Sequence, residues 1–334
     1  MTPEVSCHEP PLAGDLQAEL PLFWEGIFKE EFTFRAVLAG ADQGFIGHKI
    51  YLRRQLGSVE LMGTTHLAYS EPGLQRASAP IIGGLGEVAT AAAFRQQGVA
   101  AQLCELACDE FSRMGGVALF LGTVNPAAAR VYHRLGFRKL AAASLMARIN
   151  VDESPERFLA GHFPAGGAIE VCPGSARSRC HLIPLALSGH DWQVLDANAG
   201  LYSTRYTQLG SCMGLFPRYE AVIASASGGI WFEAWTQTGR CLVGLASARL
   251  RADGTSQVDG FIHQHFAAAW PQLLAAVIDW STSRGMDRCM VDICDEDEEK
   301  RSCFERLGFA AAGQGVGFAV GGRSIASHQL HKAL

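Results

Sequence analysis

Two short segments carry residue types whose spacing suits chemistry on a phosphorylated ligand. The first runs Glu87-Val88-Ala89-Thr90 and continues through Phe94-Arg95-Gln96-Gln97-Gly98-Val99-Ala100. A strand that ends here would turn into a helix, with Gly98 allowing the backbone close to a ligand. Amides at the new helix N-terminus, helped by its dipole, would bind a diphosphate, and Arg95 would add a charged contact. Ala100 is small enough not to block the phosphates. Taken alone, R-x-x-G-x-A also fits a helix that merely opens with glycine after a strand.

The second segment, Asn125 to Phe137, has the form N-x-x-A-x-x-x-Y-x-x-x-G-F. Asn125 and Pro126 supply an N-cap and a proline at the first helical position, and Gly136 would end that helix. With both segments in this order and at this separation, the sequence resembles the GNAT superfamily of acyl-CoA-dependent N-acyltransferases. The resemblance covers residues 14–150 well and 170–320 in outline.

That resemblance implies acetyl-CoA as cosubstrate and residue roles at the matching positions. Arg95, Gln96 and the amides of Gln97, Gly98, Val99 and Ala100 would hold the pyrophosphate. Backbone groups of Val88 and Thr90 would pair with the pantetheine arm. Asn125 would cap its helix and bond the cosubstrate, and Tyr132 would protonate the departing thiolate. The amide of Val88 would face the oxyanion. Glu87, at the head of the cofactor strand, is either the general base or a solvated, ion-paired glutamate. His66 is a second candidate base, and His133 is expected to be structural. Strand alternation would put Glu87 and Ala89 on one side.

The elements that must position these residues recur along the chain. A helix is expected over 14–32, with Leu16, Leu20, Phe23, Trp24 and Phe28 on one side. Strands are expected at 58–70 and 81–92, a helix over 98–114 with a Leu103, Leu106, Ala107 and Phe111 stripe, a buried strand at 117–124 and another at 137–149. After a Pro- and Gly-bearing linker (151–168), a helix is expected over 183–206, strands at 229–237, 240–250 and 256–262, a helix over 267–284 and a strand at 288–294. Tyr132-His133-Arg134-Leu135-Gly136-Phe137 also aligns in register with Phe304-Glu305-Arg306-Leu307-Gly308-Phe309. The expectation is an α/β protein of two tandem GNAT-like domains, 1–150 and 169–334, each a mixed, mostly antiparallel twisted sheet flanked by helices.

The second copy reads as degenerate. Phe304 replaces Tyr132, Asp297 replaces Asn125, and His263-Gln264-His265-Phe266-Ala267-Ala268 has no glycine. The acidic run 295–299 reads as a solvated helix start, or else as a patch that attracts a cationic acceptor, and His263 with His265 lacks a third metal ligand, so no metal is expected.

Composition agrees. With 334 residues, 48% of them hydrophobic, there is enough chain for two cores. A formal charge of -5 argues against a nucleic-acid partner. The 10 cysteines form neither CxxC pairs nor a disulfide framework. The segment MTPEVSCHEPPLAG has no secretory pattern and no stretch suits a membrane span, so a soluble, cytoplasmic monomer or homodimer is expected. The function these expectations favour is acetyl transfer to the primary amine of a small molecule by direct attack in a ternary complex. The alternatives are a non-catalytic acyl-CoA-binding module and a protein (lysine or N-terminal) acetyltransferase.

Overall fold

A computed structural model describes residues 4–32, 34–71, 79–141, 144–238 and 241–334. The chain divides into two compact units. The first takes the described residues up to Leu140, Ser144–Pro155 and, from far along the chain, Gly210–Met213. The second takes Glu156–Leu209 and Gly214–Leu334, with Ala141.

The first unit contains β1 (Glu4–His8), α1 (Gly14–Phe28), α2 (Arg35–Leu38), β2 (Ile46–Arg54), β3 (Leu61–Ser70), β4 (Ile82–Thr90), α3 (Val99–Arg113), β5 (Ala118–Gly122), α4 (Pro126–Arg134), β6 (Arg138–Lys139) and β7 (Leu145–Ile149). Its seven strands are ordered β1-β2-β3-β4-β5-β7-β6. Among the described residues only β4 and β5 run parallel, pairing over Ile82–Gly84 and Ala118–Phe120 before they diverge.

One face of this sheet packs under α1 through Leu16, Leu20 and Trp24, with Ile50, Leu52 and Ala89 beneath them. The other packs under α3 through Leu103, Cys104, Ala107, Cys108 and Phe111. Their spacing puts these five on one helical stripe. Leu106, expected on that stripe, is instead 39% exposed, because Cys104 and Cys108 fill the inner face. β3 is buried along its whole length on both faces. Its Thr64, Thr65, His66 and Ser70 must therefore find partners inside the protein.

The second unit contains α5 (Pro155–His162), which begins at the boundary, then β8 (Ile169–Pro173), α6 (Ser178–Leu187), β9 (Val194–Asp196), β10 (Leu201–Tyr202), α7 (Leu215–Ile223), β11 (Gly229–Thr236), β12 (Leu242–Leu250), β13 (Thr255–Ile262), α8 (Trp270–Ser283), β14 (Arg288–Cys294), α9 (Glu298–Glu305), β15 (Ala310–Gln314), β16 (Phe318–Val320), β17 (Arg323–Ile325) and β18 (Ser327–Ala333). Its main sheet runs β8-β11-β12-β13-β14-β18-β15. Again one pair alone among the described residues is parallel, β13 with β14, over Thr255–Gln257 and Arg288–Met290. The two sheets share one pairing scheme, strand for strand. Each is mixed, mostly antiparallel and flanked by helices.

Several boundaries differ from expectation. α1 stops at Phe28, where Lys29 adopts a left-handed cap at φ 62. The strand expected over 137–149 is split into β6 and β7, and residues 142–143 lie outside the described ones. The stretch read as a linker carries α5, with Pro155 at its start. The helix expected over 183–206 begins earlier and ends at Leu187, and the chain continues as β9 and β10. Gln193 and Val194 donate their amides to Asp297 rather than to a helix.

Candidate active site

Where β4 parts from β5, the edge of β4 facing β5 has, among the described residues, no neighbouring strand beyond Gly84. Just there β4 bulges. Thr64 pairs with Ala89 and His66 with Gly86, so Glu87 and Val88 together oppose Thr65 alone. Glu87 sits at φ 45, in the left-handed region unusual for a side-chain-bearing residue. Two bonds hold it there: Trp24 Nε1 donates to Thr64 Oγ1 at 2.8 Å, and that hydroxyl donates to the Glu87 carbonyl at 2.7 Å. The bulge still leaves Glu87 and Ala89 on one side of the sheet, as alternation would have it, since His66 shares the face under α1 with Thr64. Ala89 packs under α1, and the Glu87 carboxylate is aimed by its own contact: Oε2 lies 3.0 Å from Nδ1 of His66.

After Thr90 the chain makes a short 3-10 turn, and Gln96 and Gly98 take φ 62 and 76 before α3 begins at Val99. Arg95, Gln96, Gln97 and Gly98 are exposed, and Val99 is buried. The Arg95 amide closes the 3-10 turn on Ala92 O at 3.4 Å, and that of Gln102 closes the first turn of α3 on Gly98 O at 3.0 Å. Amides at the start of a helix have no partner within it. The Arg95 Nε donates to Thr90 O at 3.4 Å.

Asn125 Oδ1 accepts from Ala127 N at 2.9 Å and Ala128 N at 3.4 Å, capping α4. Seven residues on, Tyr132 faces inward, 5% exposed, its ring edge-on to Phe137. Burial, and then the Cys104 thiol, push its phenol well above the ordinary range. His133, one residue later, is exposed on the opposite side of α4.

A cavity of about 460 Å³ brings part of this set together: Glu87, Val88, Asn125 and Tyr132 all line it. Thr90 and the 95–100 turn do not; they lie at the far, exposed end of the divergence. The lining also includes residues that the sequence did not flag, namely Phe28, Glu30, Thr123 and Gly210–Met213. Gly122 lets the last of these approach, since a Cβ there would meet Gly210 O at 2.6 Å. Burial pushes the Cys212 thiol up to about 12, so it stays protonated. No local pattern announces residues drawn from so far along the chain.

Residues 21–137 match the model of the acetyltransferase (GNAT) family. That stretch is a GNAT acetyltransferase domain. The protein thus carries the domain of an acyltransferase family whose cosubstrate is acetyl-CoA. Among solved structures, an N-acetyltransferase from Staphylococcus aureus Mu50 is 14% identical, covering 50% of this chain and 98% of its own, with a TM-score of 0.40. A spermidine N-acetyltransferase SpeG chimera from Vibrio cholerae and hSSAT is 13% identical over 49% of this chain and 95% of its own, with a TM-score of 0.40. No curated protein matches the chain. Among the described residues, no helix is long and apolar enough to cross a membrane.

The corresponding place in the second unit is filled by protein. β9 lies in the divergence of β13 from β14. The Ala197 amide donates to Asp259 Oδ2 at 2.7 Å, and Lys300 Nζ reaches Asp259 Oδ1 at 2.6 Å and Val194 O at 2.8 Å. Burial pushes Asp259 upward, with the Lys300 ammonium opposing it. Asp297, read as part of a solvated helix start, is 4% exposed because both its oxygens accept amides from Gln193 and Val194. Phe304 is buried edge-on against Phe309, as Tyr132 is against Phe137.

Proposed function

We propose that the protein moves the acetyl group of acetyl-CoA to the primary amine of a small molecule, by direct attack in a ternary complex. The observation that carries this reading is the single cavity lined by a carboxylate, a strand edge without a partner and a buried phenol. The diphosphate fits the exposed turn from Arg95 to Ala100, where Gly98 presents helix-end amides. The pantetheine arm fits the open edge of β4 at Val88 and Thr90, which can bond it as an added strand would. Asn125 keeps its side-chain amide for the cosubstrate while its oxygen caps α4.

With the thioester beside Tyr132, the amine nitrogen attacks the carbonyl carbon and the C–S bond breaks. Amides at the bulge stabilise the oxyanion. Tyr132, which burial keeps protonated, donates its proton to the leaving sulfur. Glu87 takes the proton from the amine. Glu30 and Glu87 on the lining favour a cationic acceptor.

The test is thiol release from acetyl-CoA across a panel of small amines and lysine peptides, with calorimetry of CoA binding. Turnover confined to small amines supports the proposal. Turnover on peptides alone, or binding without any turnover, overturns it.

A further inference from the structure

Three polar side chains stand in a row behind Glu87, on the sheet face beneath α1. His66 Nδ1 is 3.0 Å from Glu87 Oε2, His48 Nδ1 is 2.9 Å from His66 Nε2, and Asp42 Oδ2 is 3.3 Å from His48 Nε2. Register explains how they meet. His66 pairs with Ile50 on β2, so His48, two residues away, lies on the same face, and Asp42 belongs to the turn that leads into β2. His48, His66 and Asp42 are 7%, 6% and 3% exposed.

Holding Glu87 in place needs only His66. Two further ionisable groups buried in series are costly unless each satisfies the next. With Asp42 ionised, the two inner contacts of the row are satisfied in one direction. An ionised Asp42 accepts from His48 Nε2–H, which leaves His48 Nδ1 as an acceptor for His66 Nε2–H. His66 Nδ1 is then a lone pair facing the Glu87 carboxylate.

We propose that Asp42 and His48 act as positioning residues that fix His66 in this tautomer, so that Glu87 and His66 together take up the proton of the attacking amine. This rests on Glu87 receiving that proton, as in the function proposed above. The resting row holds two protons for three contacts. The N–H bond of the amine breaks, its electron pair stays on nitrogen, and the third proton lands between Glu87 Oε2 and His66 Nδ1. Each contact of the row then carries one proton. When the amide product leaves, the proton returns to water through the open cavity and the row is restored. The driving force is geometric: without the proton two acceptors oppose each other at 3.0 Å, and with it they are hydrogen-bonded. Of the other ionisable groups described around this cavity, Glu30 stands on its wall, Cys212 is held neutral by burial, and Tyr132 is held protonated.

The experiment compares full-length wild type with Asp42→Asn, His48→Gln, His48→Phe and Glu87→Gln. It records kcat against pH, KM for acetyl-CoA, and the ring-nitrogen NMR shifts of His66. Asp42→Asn and His48→Phe are expected to lower kcat about tenfold, to move the acidic limb of the profile down by about half a pH unit, and to leave KM within about twofold. His48→Gln, which can still accept from His66, should recover part of the rate. In Asp42→Asn the His66 shifts should report a mixture of tautomers. Unchanged acetyl-CoA affinity by calorimetry identifies variants that have folded. Wild-type profiles and unchanged His66 shifts in both Asp42→Asn and His48→Phe overturn the relay while Glu87→Gln stays inactive. Full activity in Glu87→Gln instead overturns the proposed role of Glu87 itself.

Discussion

Tyr132 is held by packing rather than by sequence neighbours alone: its ring lies against Phe137 in the core, with the side chain on the cavity wall. Since burial raises its pKa, the phenol remains a proton donor throughout the neutral range. Tyr132→Phe keeps the ring and removes only the donor. We expect kcat to fall on the order of a hundredfold with KM for acetyl-CoA little changed, as measured by steady-state thiol release. At this scale the sequence is most readable where a residue's job is local. Asn125 caps the helix that follows it, and Gly98 takes the left-handed conformation that opens α3. His48 and Asp42 gave no such sign, because their meeting with His66 depends on the β2–β3 register. The bulge at Glu87 gave no such sign either, because a tryptophan on α1 and a threonine on β3 hold it.

Among the elements, α4 shows how a short helix can be specified by its first residues. It is nine residues long, and its Asn125 side chain closes two of its free amides. Asn125→Ala should destabilise the first unit by about 1 kcal/mol, read as a lower urea midpoint with an unchanged slope. The same substitution should weaken acetyl-CoA binding if the side-chain amide also reaches the cosubstrate. Helices and strands that pack by their own periodicity, such as α3 and β14, were legible. The segment after Leu187 was not. Its apolar residues have no helical partner stripe, and its hydrogen bonds go to Asp259, Asp297 and Lys300, over sixty residues away or more in sequence. Long-range pairing of this kind leaves no trace in a window of fifteen residues.

At the level of the molecule, the shared pairing scheme of the two sheets was foreshadowed by a recurring order of elements and one hexapeptide match, since topology is not written in composition. The second unit also carries a distinct response to acid. Burial lowers His162, His190 and His263 to about 4 and His181 to about 3. These are below the unfolded value, so between about pH 6.5 and 4 the unfolded state binds more protons and stability falls as pH falls. By pH 5 each fully buried histidine should cost about 1–2 kcal/mol relative to pH 7. Thermal melts over this range should show the second unit unfolding first, and a melt that does not move with pH would contradict the sign.

The sealing of the second divergence by β9 and Lys300 has a further consequence. Half of this protein is saturated from the moment it folds, because its own backbone supplies the occupant. Calorimetric titration should therefore return one CoA per polypeptide, and the isotherm should lack any sign of homotropic cooperativity within a single chain.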